Sequence, residues 1–281
     1  MNKTQRIRGA VSVFLSFLLC ISLVLISAAA VLRGTLFNES FIKKTLQKSG
    51  YGKQVQSELY TQFLSYGNAC NIGDSFFEKF FKDTLTEEFI DNNTAKYFED
   101  IYTSSKAKVD TSALEKALKP ALYEYAVEMG YENEPTLDED LDVIVGELAE
   151  IYAKFMALPK VSTINSVLTR YGKAVDIALV CLLAFAIVVS VIIFVSYKKK
   201  AEPIRYYIYA LSGAFLMTLA FPLYVRFSGL VEKVNITSKS LYSLIVNYAN
   251  DILYGFFICS AVLAVGVAVY AVIYAKTVKR N

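Results

Sequence analysis

Four uninterrupted apolar blocks set the terms on which this chain can fold. They are Gly9 to Leu32, Ala174 to Tyr197, Tyr206 to Val225 and Ile252 to Ala275. Each runs to 20 or 24 residues. At about 1.5 Å per helical residue, each reaches across a hydrocarbon core of about 30 Å. A mean hydropathy of +0.40, with 55% hydrophobic residues, is too high for an ordinary soluble chain of 281 residues. The blocks predict four transmembrane helices over 9–32, 173–197, 206–225 and 252–275.

The first block also has features of a cleaved secretory signal: a basic start (Lys3, Arg6, Arg8) and the run Ala28 to Ala30. Its apolar run is longer than a signal core, so an uncleaved anchor is the preferred reading. A lipoprotein signal is excluded by the leucine before Cys20, where a small residue is required.

Basic residues alternate along the chain and predict orientation. Lys3, Arg6 and Arg8 precede the first block, Lys198 to Arg205 join the second to the third, and Lys276, Lys279 and Arg280 follow the fourth. The positive-inside rule puts 1–8, 198–205 and 276–281 in the cytoplasm. Residues 33–172 and the shorter 226–251 loop then lie outside. The 33–172 stretch carries 22 acids against 15 bases, a net −7 in a chain of net +3. Charge and topology agree. Cytoplasmic segments of eight, eight and six residues leave no room for an enzymatic or DNA-binding output domain.

Residues 33–172 read as a series of amphipathic helices without an alternating strand pattern. Asn38 is placed to cap "ESFIKKTLQKS", which ends at Gly50. "KQVQSELYTQFLSY" follows and ends at Gly67; then come "SFFEKFFKD" and "TEEFIDNNTAKYFEDIYTSS". Ser112 and Glu115 form a capping-box pattern opening "ALEKALKPALYEYAVEM", with a kink expected at Pro120 and an end at Gly130.

The acidic run Asp138, Glu139, Asp140 and Asp142 invites comparison with a calcium loop. An EF-hand needs glycine at its sixth position and an acid at its twelfth, and those places hold Val143 and Ala149. Thr136 and Glu139 instead have capping-box spacing, ahead of an apolar series at Leu141, Ile144, Leu148, Ile151, Phe155 and Leu158. The acids are read as a helix start that complements the helix dipole. Phe76, Phe77, Phe80 and Phe81 share one helix side; core packing is the preferred reading, and a helix lying at the membrane interface the alternative. Leu241, Leu244, Ile245 and Tyr248 predict an amphipathic helix in the 226–251 loop.

Chemistry is narrowly bounded. The chain has no histidine, which removes Ser-His and Cys-His pairs, zinc-protease motifs and imidazole proton shuttles. "SGYGKQ" lacks the first glycine of a phosphate-binding loop, since Gln47 stands in its place. Of four cysteines, Cys20, Cys181 and Cys259 fall in the apolar blocks as packing residues, and Cys70 alone lies outside, where only an intermolecular disulfide is open to it. The blocks carry no ionisable residue except Asp176 near one end, which argues against a pump, a proton-coupled carrier or a voltage sensor. Ser12, Ser16 and Cys20, and Ser260, Ala264 and Ala268, are small residues spaced for close helix approach. No residue is assigned as catalytic, cofactor-binding or metal-ligating. Three glycosylation sequons begin at Asn38, Asn92 and Asn235, and the 22 lysines against 7 arginines favour a bacterial source, in which they are chance occurrences.

"LFNESFIKKTLQKSGYGKQV" and "KVDTSALEKAL" resemble segments of uncharacterised membrane proteins of low-GC Gram-positive bacteria. The resemblance implies the same plan and a bacterial plasma membrane, and no activity. The expected fold is an all-α membrane protein with four transmembrane helices and a helical extracytoplasmic domain inserted between the first and second. The expected function is non-enzymatic: binding or scaffolding of a partner or ligand through that domain. A channel or transport-complex accessory subunit is the alternative, and an external carboxylate enzyme comes third. Expected partners are the lipid bilayer and a membrane or envelope protein, with a homo-oligomer left open and no nucleic acid.

Overall fold

A computed structural model of the protein describes residues 3–158, 160–198, 201–235 and 238–280. Among these residues there are ten α-helices and no strand. The chain divides into two compact units, one formed by Met1–Asn38, Arg170–Asn235 and Val246–Asn281, the other by Glu39–Thr169 and Ile236–Ile245.

The first unit is built on α1 (Lys3–Gly34), on α8 (Val161–Val195) from Arg170 onward, on α9 (Ala201–Ser228) and on α10 (Lys239–Arg280) from Val246 onward. All four are long and apolar enough to cross a membrane. Leu19 and Cys20 of α1, Ala186, Val189 and Ile193 of α8, Tyr206, Ala210 and Ala214 of α9, and Leu263 of α10 form one buried cluster. The inward face is otherwise small and hydroxylated: Ser12, Ser16, Thr218 and Ser260 are buried. Large apolar side chains point outward instead, with Val180, Ile187, Leu216 and Val262 more than 60% exposed. That reverses the water-soluble pattern and suits a lipid surround.

The Ser12, Ser16 and Cys20 stripe packs as its spacing predicts. The Ser16 hydroxyl donates to the Tyr206 carbonyl at 2.8 Å, and the Tyr197 hydroxyl donates to Ser12 Oγ at 2.8 Å. Gly213 makes room for Cys20: a Cβ there would come within 2.9 Å of its sulfur. The second stripe is buried only at Ser260; Ala264 is half-buried and Ala268 exposed. Cys181 is also exposed, although packing was expected of it. On a helix that is apolar all round, periodicity cannot tell which side faces the bundle.

The second unit centres on α3 (Tyr51–Ala69), whose Val55, Leu59 and Phe63 are fully buried. Against it pack α2 (Glu39–Ser49), α4 (Asp74–Asp83), α5 (Glu87–Thr103) and α7 (Leu137–Met156), while α6 (Ser112–Glu128) packs on α7. Gly50, at φ 62°, makes the left-handed turn between α2 and α3. Gly67 does not end α3, as its sequence context suggests. It lies inside the last turn, where a Cβ would strike the ring of Phe77.

Four local expectations need correction. The buried face of α7 is Leu141, Val145, Leu148, Ala149, Tyr152 and Met156; Ile144, Ile151 and Phe155 lie half-buried at its edge. Polar anchoring turns the helix this way, because Asn93 Nδ2 donates to the Tyr152 hydroxyl at 3.1 Å and the Thr94 hydroxyl points at the Met156 sulfur. At the start of α6, Asp110 replaces the expected Ser112–Glu115 box, accepting the Ser112 amide and hydroxyl. At α7 the Thr136 hydroxyl donates to Asp140, not Glu139. The 226–251 amphipathic helix and the fourth apolar block are one continuous helix, α10, since no glycine or proline interrupts Ser240 to Tyr254. Pro120 lies inside α6 and Pro222 inside α9, and neither ends its helix.

The amphipathic start of α10, up to Ile245, is part of the second unit and is held there by Glu58 of α3. Its carboxylate accepts the Lys239 and Ser240 amides at 3.0 and 3.2 Å, and the Ser240 and Ser238 hydroxyls at 2.9 and 3.3 Å. A side chain remote in sequence thus caps this helix, satisfying N–H groups that have no partner within it.

Candidate ligand cleft

Charge separates three cavities found among the described residues of the helical unit. A cavity of about 220 Å³ between α2 and α5 is lined by Lys43, Asp91, Lys96 and Glu99 among others. Its bases are engaged: Lys43 pairs with Glu99 and Lys96 with Asp110 at 2.9 Å. Burial and the neighbouring Glu87 push the Asp91 carboxyl above its ordinary pKa, so this residue holds a proton more readily than an exposed aspartate. An open depression of about 610 Å³ lies between α3 and the start of α10, and its one carboxylate is Glu58, already committed to the cap.

The third cavity, about 420 Å³, lies between α4 and α6. Its α4 wall is Ser75, Phe76, Lys79, Phe80 and Asp83, and its α6 wall is Ala121, Glu124, Tyr125 and Glu128. The "SFFEKFFKD" pattern explains the wall. Phe77 and Phe81 turn into the core, where both meet the Phe63 ring edge-to-face at 6.2 and 5.3 Å. Phe76 and Phe80, one turn apart, stack at 5.9 Å with their planes 13° apart and border the cavity. All four phenylalanines are at most 8% exposed, so this helix packs as core and does not lie on an interface.

Tyr125 closes one end. Its ring lies 5.3 Å from Phe76, and its hydroxyl accepts the Gly73 amide at 2.9 Å, fixing the start of α4 to α6. The rim carries Asp83, Glu124 and Glu128 against Lys79, and all four are exposed. Among the described residues none of these carboxylates pairs with a base. An aromatic floor under uncommitted carboxylates can hold an apolar cation, whose charge meets the acids while its carbons meet the rings.

The acidic run Asp138 to Asp142 is elsewhere, in the first turns of α7, where Asp142 accepts a 2.5 Å contact from Lys119. Sequence reading singled out the phenylalanines for packing but not the cleft. Glu124, Tyr125 and Glu128 lie some 45 residues further on and carry no local motif; the i, i+4 spacing of Glu124 and Glu128 is their one signal.

The fold and cavity define a class: an all-helical protein with four helices fit to span a membrane and a separate helical unit that holds a cleft. Beyond that class, the chain matches no model of a protein family, no curated protein and no solved structure.

Proposed function

We propose that this is a multi-pass protein of a bacterial plasma membrane that binds a partner or ligand through an extracytoplasmic helical domain and catalyses no reaction. The observation that carries the reading is the division of chemistry between the units. The four long helices bury hydroxyls and small residues, whereas the helical unit holds a preformed cleft rimmed by uncommitted carboxylates. Basic residues at Lys3 to Arg8, at Lys198 to Arg205 and at Lys276 to Arg280 support cytoplasmic placement of those segments. The net −7 of residues 33–172 supports the opposite side for the helical unit. A membrane or envelope protein is the proposed partner class, reached through this unit.

Cross-linking in cells of the source at native abundance tests this. The intact chain is compared with a form in which residues 39–169 are replaced by a flexible linker of matched reach. A specific adduct that depends on residues 39–169 is expected. The same adduct from both forms sinks the proposal.

A further inference from the structure

We infer that the α4–α6 cleft binds a small aliphatic diammonium ion, an inference that rests on the helical unit being a binding domain. Volume, floor and charge each contribute. At about 420 Å³ the cavity falls in the range of small-ligand sites. Phe76, Phe80 and Tyr125 line it, and they offer aromatic carbon to a methylene chain. Three rim carboxylates against one lysine leave a local charge of −2, which a dication neutralises.

The carboxylates are split between the walls, with Asp83 on α4 and Glu124 and Glu128 on α6. A linear dication therefore finds acid at both ends and aromatic carbon between them. Glu124 and Glu128 also stand one helical turn apart as like charges, and no base within the described residues forms an ion pair with either. A bound ammonium group removes that repulsion. A metal dication has less to gain, because the floor supplies carbon where such an ion seeks oxygen. The other cavities lack the combination: the α2–α5 bases are paired, and Glu58 is fully engaged as a cap.

The test uses the full chain in nanodiscs of zwitterionic lipid, with radiolabelled 1,4-diaminobutane as probe in equilibrium dialysis. Saturable binding of one diamine per chain is expected, displaced neither by 1,4-butanediol nor by equimolar Mg²⁺. Glu124→Gln with Glu128→Gln should weaken binding by at least about tenfold with an unchanged circular dichroism spectrum. Ala121→Leu, which fills the cleft without altering its charge, should weaken it by a similar factor. Absence of saturable binding, equal displacement by the diol, or equal affinity in the double glutamine variant overturns the inference. If the adduct that depends on residues 39–169 persists while the diamine fails to bind, the ligand class alone is wrong. Loss of that dependence defeats the broader reading, whatever the diamine does.

Discussion

Phe77 and Gly67 offer the sharpest test of how the helical unit is packed. Phe77 is fully buried, edge-on to Phe63 at 6.2 Å and to Phe76 at 5.1 Å. Truncating it to alanine removes a whole ring from a close-packed site, which costs about 3–5 kcal/mol. Gly67→Ala attacks the same contact from the other side. Its Cβ would fall 2.7 Å from the Phe77 Cζ, and so close a contact costs about 1–3 kcal/mol. With the ring gone, the clash is gone too. Alanine is then the better helix residue by up to about 1 kcal/mol, so Gly67→Ala should stabilise the Phe77→Ala protein. The two substitutions are therefore coupled by about 1–4 kcal/mol, with a change of sign. The assay is amide exchange of the α3 and α4 peptides of the full chain in detergent micelles, titrated with urea. Equal effects of Gly67→Ala in both backgrounds would show that α3 and α4 do not meet as described.

Three further outcomes follow from other contacts. Glu58→Ala leaves the first amides of α10 without acceptors; exchange at Lys239 and Ser240 should accelerate roughly 5–30-fold, about 1–2 kcal/mol, and unchanged exchange would refute the cap. Burial raises the Tyr152 phenol to about 12 from its ordinary 10.0, against a hydrogen bond donated by Asn93. Between those values the unfolded state has lost a proton that the folded state keeps. Stability is therefore intact below about pH 10 and falls by about 1.4 kcal/mol per unit from there towards 12; Tyr152→Phe should make that fall shallower in denaturant titrations. In the bundle, Gly213→Leu drives a side chain at the Cys20 sulfur and should raise the rate of maleimide labelling at Cys20 by about tenfold or more, leaving exposed Cys181 unchanged.

What the sequence made legible depended on whether the signal was local. The four long helices follow from unbroken apolar runs, and the left-handed turns at Gly50 and Gly130, at φ 62° and 84°, follow from residue type. The phenylalanine face of α4 was equally plain, because its residues recur at helical spacing within ten positions. Contacts between distant segments left no such mark. The rotation of α7 is set by Asn93 on α5, the start of α10 is capped from α3, and the cleft pairs α4 with α6. Gly67 shows the limit clearly: glycine near a helix end reads as a stop, yet here it makes space for a ring ten residues away in sequence.

The side of the membrane on which the helical unit lies is the claim on which the rest of the account turns. In a variant with all four native cysteines replaced by serine, single cysteines at Asp138 of α7 and at Lys276 of α10 report that side in intact cells. The account predicts that a membrane-impermeant maleimide labels the Asp138→Cys protein at once and the Lys276→Cys protein only after lysis. Labelling of the Lys276→Cys protein in intact cells, with the Asp138→Cys protein protected until lysis, would contradict it.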